Sequence, residues 1–140
     1  NISGGVLGLE AVFGIKNIDV LNININFYSV VLGVIAFCLL FVGNYKILEK
    51  NWRFKKAEVD IIALYQNMIV FVEVKTRSTN FFGYPEESVS KAKKRLLSFA
   101  AEAYMYEKKI DTDMRFDIIA ITITAQENMI YHIEDAFFGY

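Results

Sequence analysis

Asn22, Asn24 and Asn26 alternate with Leu21, Ile23, Ile25 and Phe27, the two-residue period of a strand. The alternation runs into residues 27–42 (FYSVVLGVIAFCLLFV), where only Ser29 and the hydroxyl of Tyr28 are polar. A membrane-spanning helix needs about 20 apolar residues, with roughly 17 as the lower limit. The stretch therefore admits two readings: a span over residues 27–43, or a helix buried in a protein core. Lys46, Lys50, Arg53, Lys55 and Lys56 follow it, so a span would leave the C-terminal part in the cytoplasm. No basic stretch precedes it, which argues against a cleaved signal peptide. The chain begins at Asn1 rather than methionine, as a fragment or a processed product would.

The pattern changes at about Asn44, dividing the chain into an atypical hydrophobic segment, 1–43, and a charged domain, 44–140. Residues 58–64 (EVDIIAL) and 69–77 (IVFVEVKTR) are rich in β-branched residues and predict an antiparallel hairpin around a loop at 65–68. Residues 80–85 (NFFGYP), with Gly83 and the only proline, read as a loop. A long helix is predicted over 88–108, with Val89, Ala92, Leu96, Ala100 and Ala103 inward and Lys91, Lys94, Arg95 and Glu102 on another face. Glu86 and Glu87 near its start, and Lys108 and Lys109 at its end, suit the helix dipole. Residues 116–124 form a third strand and 130–133 a short fourth. The order β-β-α-β-β, with one helix in front, implies a mixed α/β sandwich.

The chain has 140 residues, 54% of them hydrophobic, which suits one domain with a real core and excludes disorder. Its single cysteine, Cys38, rules out a disulfide framework. Neither Cys38 nor the lone His132 has the neighbours of a zinc cluster, so the chain reads as a reducing, cytoplasmic protein. The net charge of −1 hides an asymmetry. Residues 46–95 hold eleven Lys/Arg against six Asp/Glu, and residues 96–140 hold three against eight. A basic half beside an acidic half suits a surface facing a polyanion, or ordinary solvated charge.

The hairpin carries the chemistry. Side chains alternate across a strand, so Glu58 and Asp60 share a face, as do Glu73 and Lys75. If Leu64 pairs with Ile69, Asp60 faces Glu73 and Glu58 faces Lys75, as cross-strand neighbours about 4.5–5.5 Å apart at Cβ. Two carboxylates so placed repel by about 4 kcal/mol at an effective dielectric near 20. A hard divalent cation, Mg²⁺ or Mn²⁺, would remove that cost. Lys75 beside it would orient water or neutralise charge on a phosphate, which is the equipment of metal-dependent phosphodiester hydrolysis. The competing reading is a solvent-facing hairpin with a surface Glu58–Lys75 pair worth under about 1 kcal/mol.

The blocks NYKILEKNWRFKKAEVDIIA, VFVEVKTR, FGYPEESVSKAKKRLL, RFDIIAI and YHIEDAF, spread in order over residues 44–138, resemble the YraN-type family of small bacterial proteins. That family is similar to the Holliday-junction-resolvase-like branch of the PD-(D/E)xK nuclease superfamily. The resemblance implies a restriction-endonuclease-like core of type α-β-β-β-α-β, a mixed sheet flanked by helices. It implies that Asp60 is the metal-binding aspartate, that Glu73 and Lys75 are the acid and lysine of (D/E)xK, and that the Val74 backbone carbonyl is a further ligand. The implied activity is Mg²⁺- or Mn²⁺-dependent cleavage of DNA, including branched junctions, for which a two-fold homodimer would be suited. Val59 stands where the superfamily has proline. Gly33 stands where family members carry a first-helix glutamate, and Ala36 on the alanine that follows it. A nucleic-acid-binding protein without catalysis is therefore the alternative, and a membrane-tethered protein a third reading.

Glu58 is read two ways, as an acid supporting the metal and as a surface partner of Lys75. Arg77, Lys91, Lys93, Lys94 and Arg95 are candidates for a phosphate track, and Lys93 matches a family position at the start of the helix. Trp52, beside Arg53, is read as core rather than as a base-stacking residue. Arg115 and Asp117 are expected to form a structural pair. His132 opens a tail along a sheet edge, and Phe81, Phe82, Phe137 and Phe138 are expected in the core, with a loop over 81–85 that shapes the mouth of the site as the alternative for the first two.

Overall fold

A computed structural model describes residues 7–8, 34–35, 42–77, 89–123 and 128–138. Among the described residues six strands, β1 (Leu7–Gly8), β2 (Tyr45–Phe54), β3 (Ala57–Tyr65), β4 (Met68–Arg77), β5 (Met114–Ile123) and β6 (Asn128–Phe137), and one long helix, α1 (Lys91–Glu107), follow one another with α1 between β4 and β5. The sheet order is β1-β6-β5-β4-β3-β2. The pair β4–β5 is parallel and every other pair is antiparallel, so the sheet is mixed and α1 makes the crossover a parallel pair requires. The succession β2-β3-β4-α1-β5 is the β-β-β-α-β part of the core implied by the resemblance.

The predicted hairpin has the predicted register: Leu64 lies opposite Ile69. Its turn is tighter than expected, because Tyr65 also pairs with Met68 and leaves only Gln66 and Asn67 to reverse the chain. Gln66 takes φ 53°, the positive value a two-residue turn demands. The periodicity reading missed β2 and shortened β6. β2 is an edge strand in which Lys46, Lys50, Asn51 and Arg53 are exposed, so its apolar signal is diluted by the charges that keep an edge from pairing with other chains. β6 runs past Ile133 to Phe137, through Asp135 at φ 51° and a register shift opposite β5.

The helix starts and ends inside the predicted limits. Ser90 caps it, its Oγ accepting from the Lys93 N–H at 3.2 Å. Residues 86–87 lie outside the described residues; at the other end Lys108 is the C-cap and Lys109 follows it, just past a last turn that itself holds no base. The buried stripe is Leu97, Ala100, Ala101 and Tyr104 rather than the predicted one through Ala92 and Leu96, which are exposed. Tyr104 sets this phase: its ring packs edge-on against both Trp52 and Phe71, anchoring α1 across β2 and β4.

Two apolar clusters cover the two sheet faces. Val59, Ile62, Phe71, Phe116 and Ile118 pack with Leu97, Ala100, Ala101 and Tyr104 of α1. Ile61, Ala63, Val70, Val72, Ile119 and Ile121 face the other way and are joined by Ile35. Val34 and Ile35 are helical, and Ile35 is only 1% exposed against the sheet, the place the core-helix reading gives that segment. Among the described residues no helix is long and apolar enough to cross a membrane. The rest of 27–41, Gly33 and Ala36 included, lies outside the described residues, as does the 80–85 loop with Phe81 and Phe82. Phe137 is buried as expected, whereas Phe138, past the end of β6, is 81% exposed.

Candidate active site

Asp60 sits where β3 breaks its own alternation. Val59 and Ile62 both face the helix, while Ile61 and Ala63 face away, so the strand changes sides at residue 60. Opposite it on β2, Asn51 takes φ 50°. The β3–β4 ladder ends at Ile61–Val72, and the Asp60 carboxylate substitutes for the next rung: its Oδ2 accepts from the Val74 N–H at 2.7 Å. An extended residue directs its N–H and C=O toward the same neighbour. The Val74 carbonyl therefore projects into the gap that holds Asp60, the position expected of a third oxygen ligand.

Glu73 is buried, 4% exposed, on the helix-bearing face of β4. Two ammonium groups flank it: Lys75 Nζ lies 3.6 Å from Oε1, and Lys93 Nζ lies 3.3 Å from Oε2. Lys93 reaches down from the first turn of α1 and also donates to the Glu58 backbone carbonyl at 3.4 Å. Oε2 is buried and makes no hydrogen bond, meeting Lys93 as an ion pair only. Burial raises both carboxyls above the usual carboxylate range. For Asp60 the Val74 N–H and the two lysines oppose that rise, and for Glu73 the Asp60 charge adds to it. Two half-satisfied acids and a backbone carbonyl facing one gap form a hard oxygen donor set that suits a divalent cation. Among the described residues no third His, Cys, Asp or Glu joins the pair.

The other predicted residues separate. Glu58 does not pair with Lys75; the ladder has ended before it, and Glu58 binds Arg53 of β2 at 2.9 Å instead. Lys91 and Arg95 are exposed on α1, and Lys94 turns away to lie 5.3 Å over the Phe137 ring. Arg77 ends β4, and its side chain lies outside the described residues. Among the phosphate-track candidates whose side chains are described, only Lys93 reaches the acids. Ser90, the cap of α1, is what sets Lys93 in the first turn. A cavity of about 620 Å³ between the 65–68 turn and residues 111–113 shares no residue with the acid pair.

On the opposite face lies a second polar cluster. Asp117 is fully buried and takes both prongs of Arg115, at 2.8 and 2.9 Å, together with His132 Nε2 at 2.7 Å and the Asp135 N–H at 3.1 Å. Arg115 also donates to the Tyr45 hydroxyl at 2.6 Å, and that hydroxyl donates to Glu134 at 3.3 Å. The expected Arg115–Asp117 pair is present, and it ties β2, β5 and β6 together. Trp52 is half-buried, parallel to Phe54 and edge-on to Tyr104, as the core reading has it.

The family model described as "Uncharacterised protein family UPF0102" matches residues 34–121. The chain belongs to UPF0102. It is 49% identical over 96 residues to the UPF0102 protein of Flavobacterium psychrophilum, spanning 69% of this chain and 81% of that protein. It is 44% identical over 94 residues to the UPF0102 protein of Geobacter metallireducens, spanning 66% and 77%. The UPF0102 match begins at residue 34, upstream of Asn44 where the sequence blocks begin, and so takes in Ile35 and its contact with the sheet. Among solved structures the chain is similar to Pyrococcus furiosus SfsA in complex with Ca²⁺, at 11% identity and a TM-score of 0.36, over 76% of this chain and 63% of that one. A likeness that slight carries no argument about function.

The raised carboxyls have a consequence for stability. Between about pH 4, where an unfolded carboxyl titrates, and their raised folded values, the native protein holds protons that the unfolded chain has released. The metal-free fold therefore loses stability as pH rises through that window. Asp60→Asn removes one of the two charges while keeping an oxygen to accept from the Val74 N–H. In EDTA its melting temperature is expected to exceed the parent's at pH 7, and the excess to shrink toward pH 4. An excess that grows toward pH 4, or none at any pH, would contradict the assignment.

Proposed function

We propose that this UPF0102 protein is a Mg²⁺-dependent nuclease-like phosphodiesterase of the cytoplasm that acts on DNA, branched junctions included. The observation that carries the reading is the convergence of Asp60 and Glu73, both raised by burial, with two ammonium groups on one gap at the broken end of a strand ladder. Asp60, Glu73 and the Val74 carbonyl would hold the ion. When bound, a divalent cation lowers the pKa of a water and polarises a phosphoryl oxygen.

The chain's own groups do the rest. Lys75, more than a third exposed, stands at the mouth and can hold a water by hydrogen bond or balance the charge that grows on a phosphate. Lys93 is held by Glu73 and the Glu58 carbonyl, so it fixes the orientation of the Glu73 carboxylate and adds a positive charge on the substrate side. The kinked backbone at Asp60 keeps the aspartate against the end of β4 rather than on either flat face of the sheet.

The test is a cleavage assay of purified protein on linear duplex, single-stranded and four-way DNA, in Mg²⁺ and in EDTA. Cleavage in Mg²⁺ only is expected, with Asp60→Ala and Lys75→Ala losing cleavage while retaining DNA binding. Variants that cut as well as the parent would remove the proposal. One observation favours a second reading, a DNA-binding protein without catalysis: Gly33 stands where the resemblance implies a glutamate. That reading predicts salt-sensitive binding and no turnover in any metal.

A further inference from the structure

Phe54 closes the tip of the β2–β3 hairpin, and Phe99 projects from α1 beside it. Their ring centroids are 5.4 Å apart and the planes are tilted by 53°. Phe99 is 48% exposed, a large apolar ring left in water. Lys55, turned outward at φ 52°, holds its ammonium 5.5 Å from the Phe54 centroid and 5.1 Å from that of Phe99. Behind this pair Trp52 lies parallel to Phe54 at 6.0 Å and meets Tyr104 edge-on at 5.2 Å, so the half-buried Phe54 and the exposed Phe99 are backed by an aromatic row.

The surroundings are cationic. Lys91, Arg95 and Phe99 are spaced four apart on one face of α1, both cations are exposed, and no acid occurs in the helix before Glu102. The patch is also close to the acids. Ala57, paired with Phe54, is three residues from Asp60, about 10 Å along an extended strand. An apolar ring among exposed cations does not match an apolar protein surface, and a base-paired duplex would offer it phosphates but no free ring face. An unpaired nucleotide offers both a π-face and a phosphate.

We infer that Phe54, Phe99 and Lys55 form a stacking platform for an unpaired base on the DNA strand that enters the Asp60–Glu73 site. The inference rests on the phosphodiesterase reading for its choice of partner, and it narrows the substrate to DNA with a single-stranded segment next to the cut. In the free protein Lys55 covers the rings; with DNA bound its ammonium moves to the adjoining phosphate and Phe99 takes the base.

The experiment measures binding in EDTA, without cleavage, of a single-stranded oligonucleotide carrying 2-aminopurine and of a duplex of the same sequence. Phe99→Ala and Phe99→Leu are each expected to weaken single-strand binding about tenfold. They should abolish the quenching of 2-aminopurine and leave duplex binding within about twofold. Phe99→Trp should restore both. The melting temperatures of the variants report whether they are folded, and Phe99→Leu keeps the apolar contact with Phe54 should Phe99→Ala not fold. Equal loss on duplex and single strand, or no loss on either, overturns the inference. So does a parent dimer that dissociates on Phe99→Leu, because the patch would then be a contact between copies of this chain. Stacking that depends on Phe99 without Mg²⁺-dependent cleavage by the parent would sustain this inference and sink the hydrolytic reading alone.

Discussion

Glu73→Gln is expected to lower Mg²⁺-dependent cleavage by about a thousandfold or more, with DNA binding retained. In the proposed mechanism this carboxylate would bind the ion that activates water and polarises the phosphate, an effect worth several kcal/mol, and each 1.36 kcal/mol is tenfold in rate. The same change leaves Lys75 and Lys93 facing a neutral amide. Lys93→Ala tests the positioning role separately. It removes no ligand, so it should reduce kcat by about tenfold to a hundredfold and shift the metal concentration needed for half-maximal rate. A Lys93→Ala protein with the parent's metal dependence would leave Lys93 as a structural ion pair. Glu73→Gln cutting at the parent's rate would refute the site.

The second large effect is on folding. Asp117→Ala strips a fully buried partner from Arg115, which is itself largely buried with a 13% exposed side chain. Burial works against the Arg115 charge, and its hydrogen bonds to Asp117 more than restore it. Removing one member of such a pair costs about 3–5 kcal/mol, because the other charge is left uncompensated. His132 and the Asp135 N–H lose an acceptor as well. A fall in melting temperature of about 10 °C or more is expected. The double change Arg115→Met with Asp117→Leu should cost less than the two single changes added together, since it leaves no orphaned charge. A drop of only a degree or two in Asp117→Ala would show that the network does not hold β2, β5 and β6 together.

The hairpin and its acids were legible because two opposed apolar runs fix one register, and a one-residue slip would turn every core side chain into water. Leu64 against Ile69 followed, and with it the approach of residues 60 and 73. The kink at Asp60 was not legible: EVDIIAL reads as regular alternation, and only the packing of both Val59 and Ile62 on α1 reverses the face. That reversal is why Glu58 meets Arg53 rather than Lys75. β2 was hidden by its edge-strand charges. The helix phase was misread because small alanines occur on both faces of α1, and Tyr104, whose hydroxyl makes it ambiguous in sequence, decides which face is covered. Arg115 and Asp117, two apart on a strand, could be paired by eye. His132, fifteen residues further on, joins Asp117 only through the β5–β6 pairing.

The most direct measurement of the central claim is a calorimetric titration of Mn²⁺ into metal-free parent, Asp60→Asn and Glu73→Gln proteins. Mn²⁺ is suited because it shares oxygen ligands with Mg²⁺. One binding event per chain in the parent, competed by Mg²⁺ and missing from both variants, is the predicted result. Equal binding in all three proteins, or none in the parent, would contradict the account.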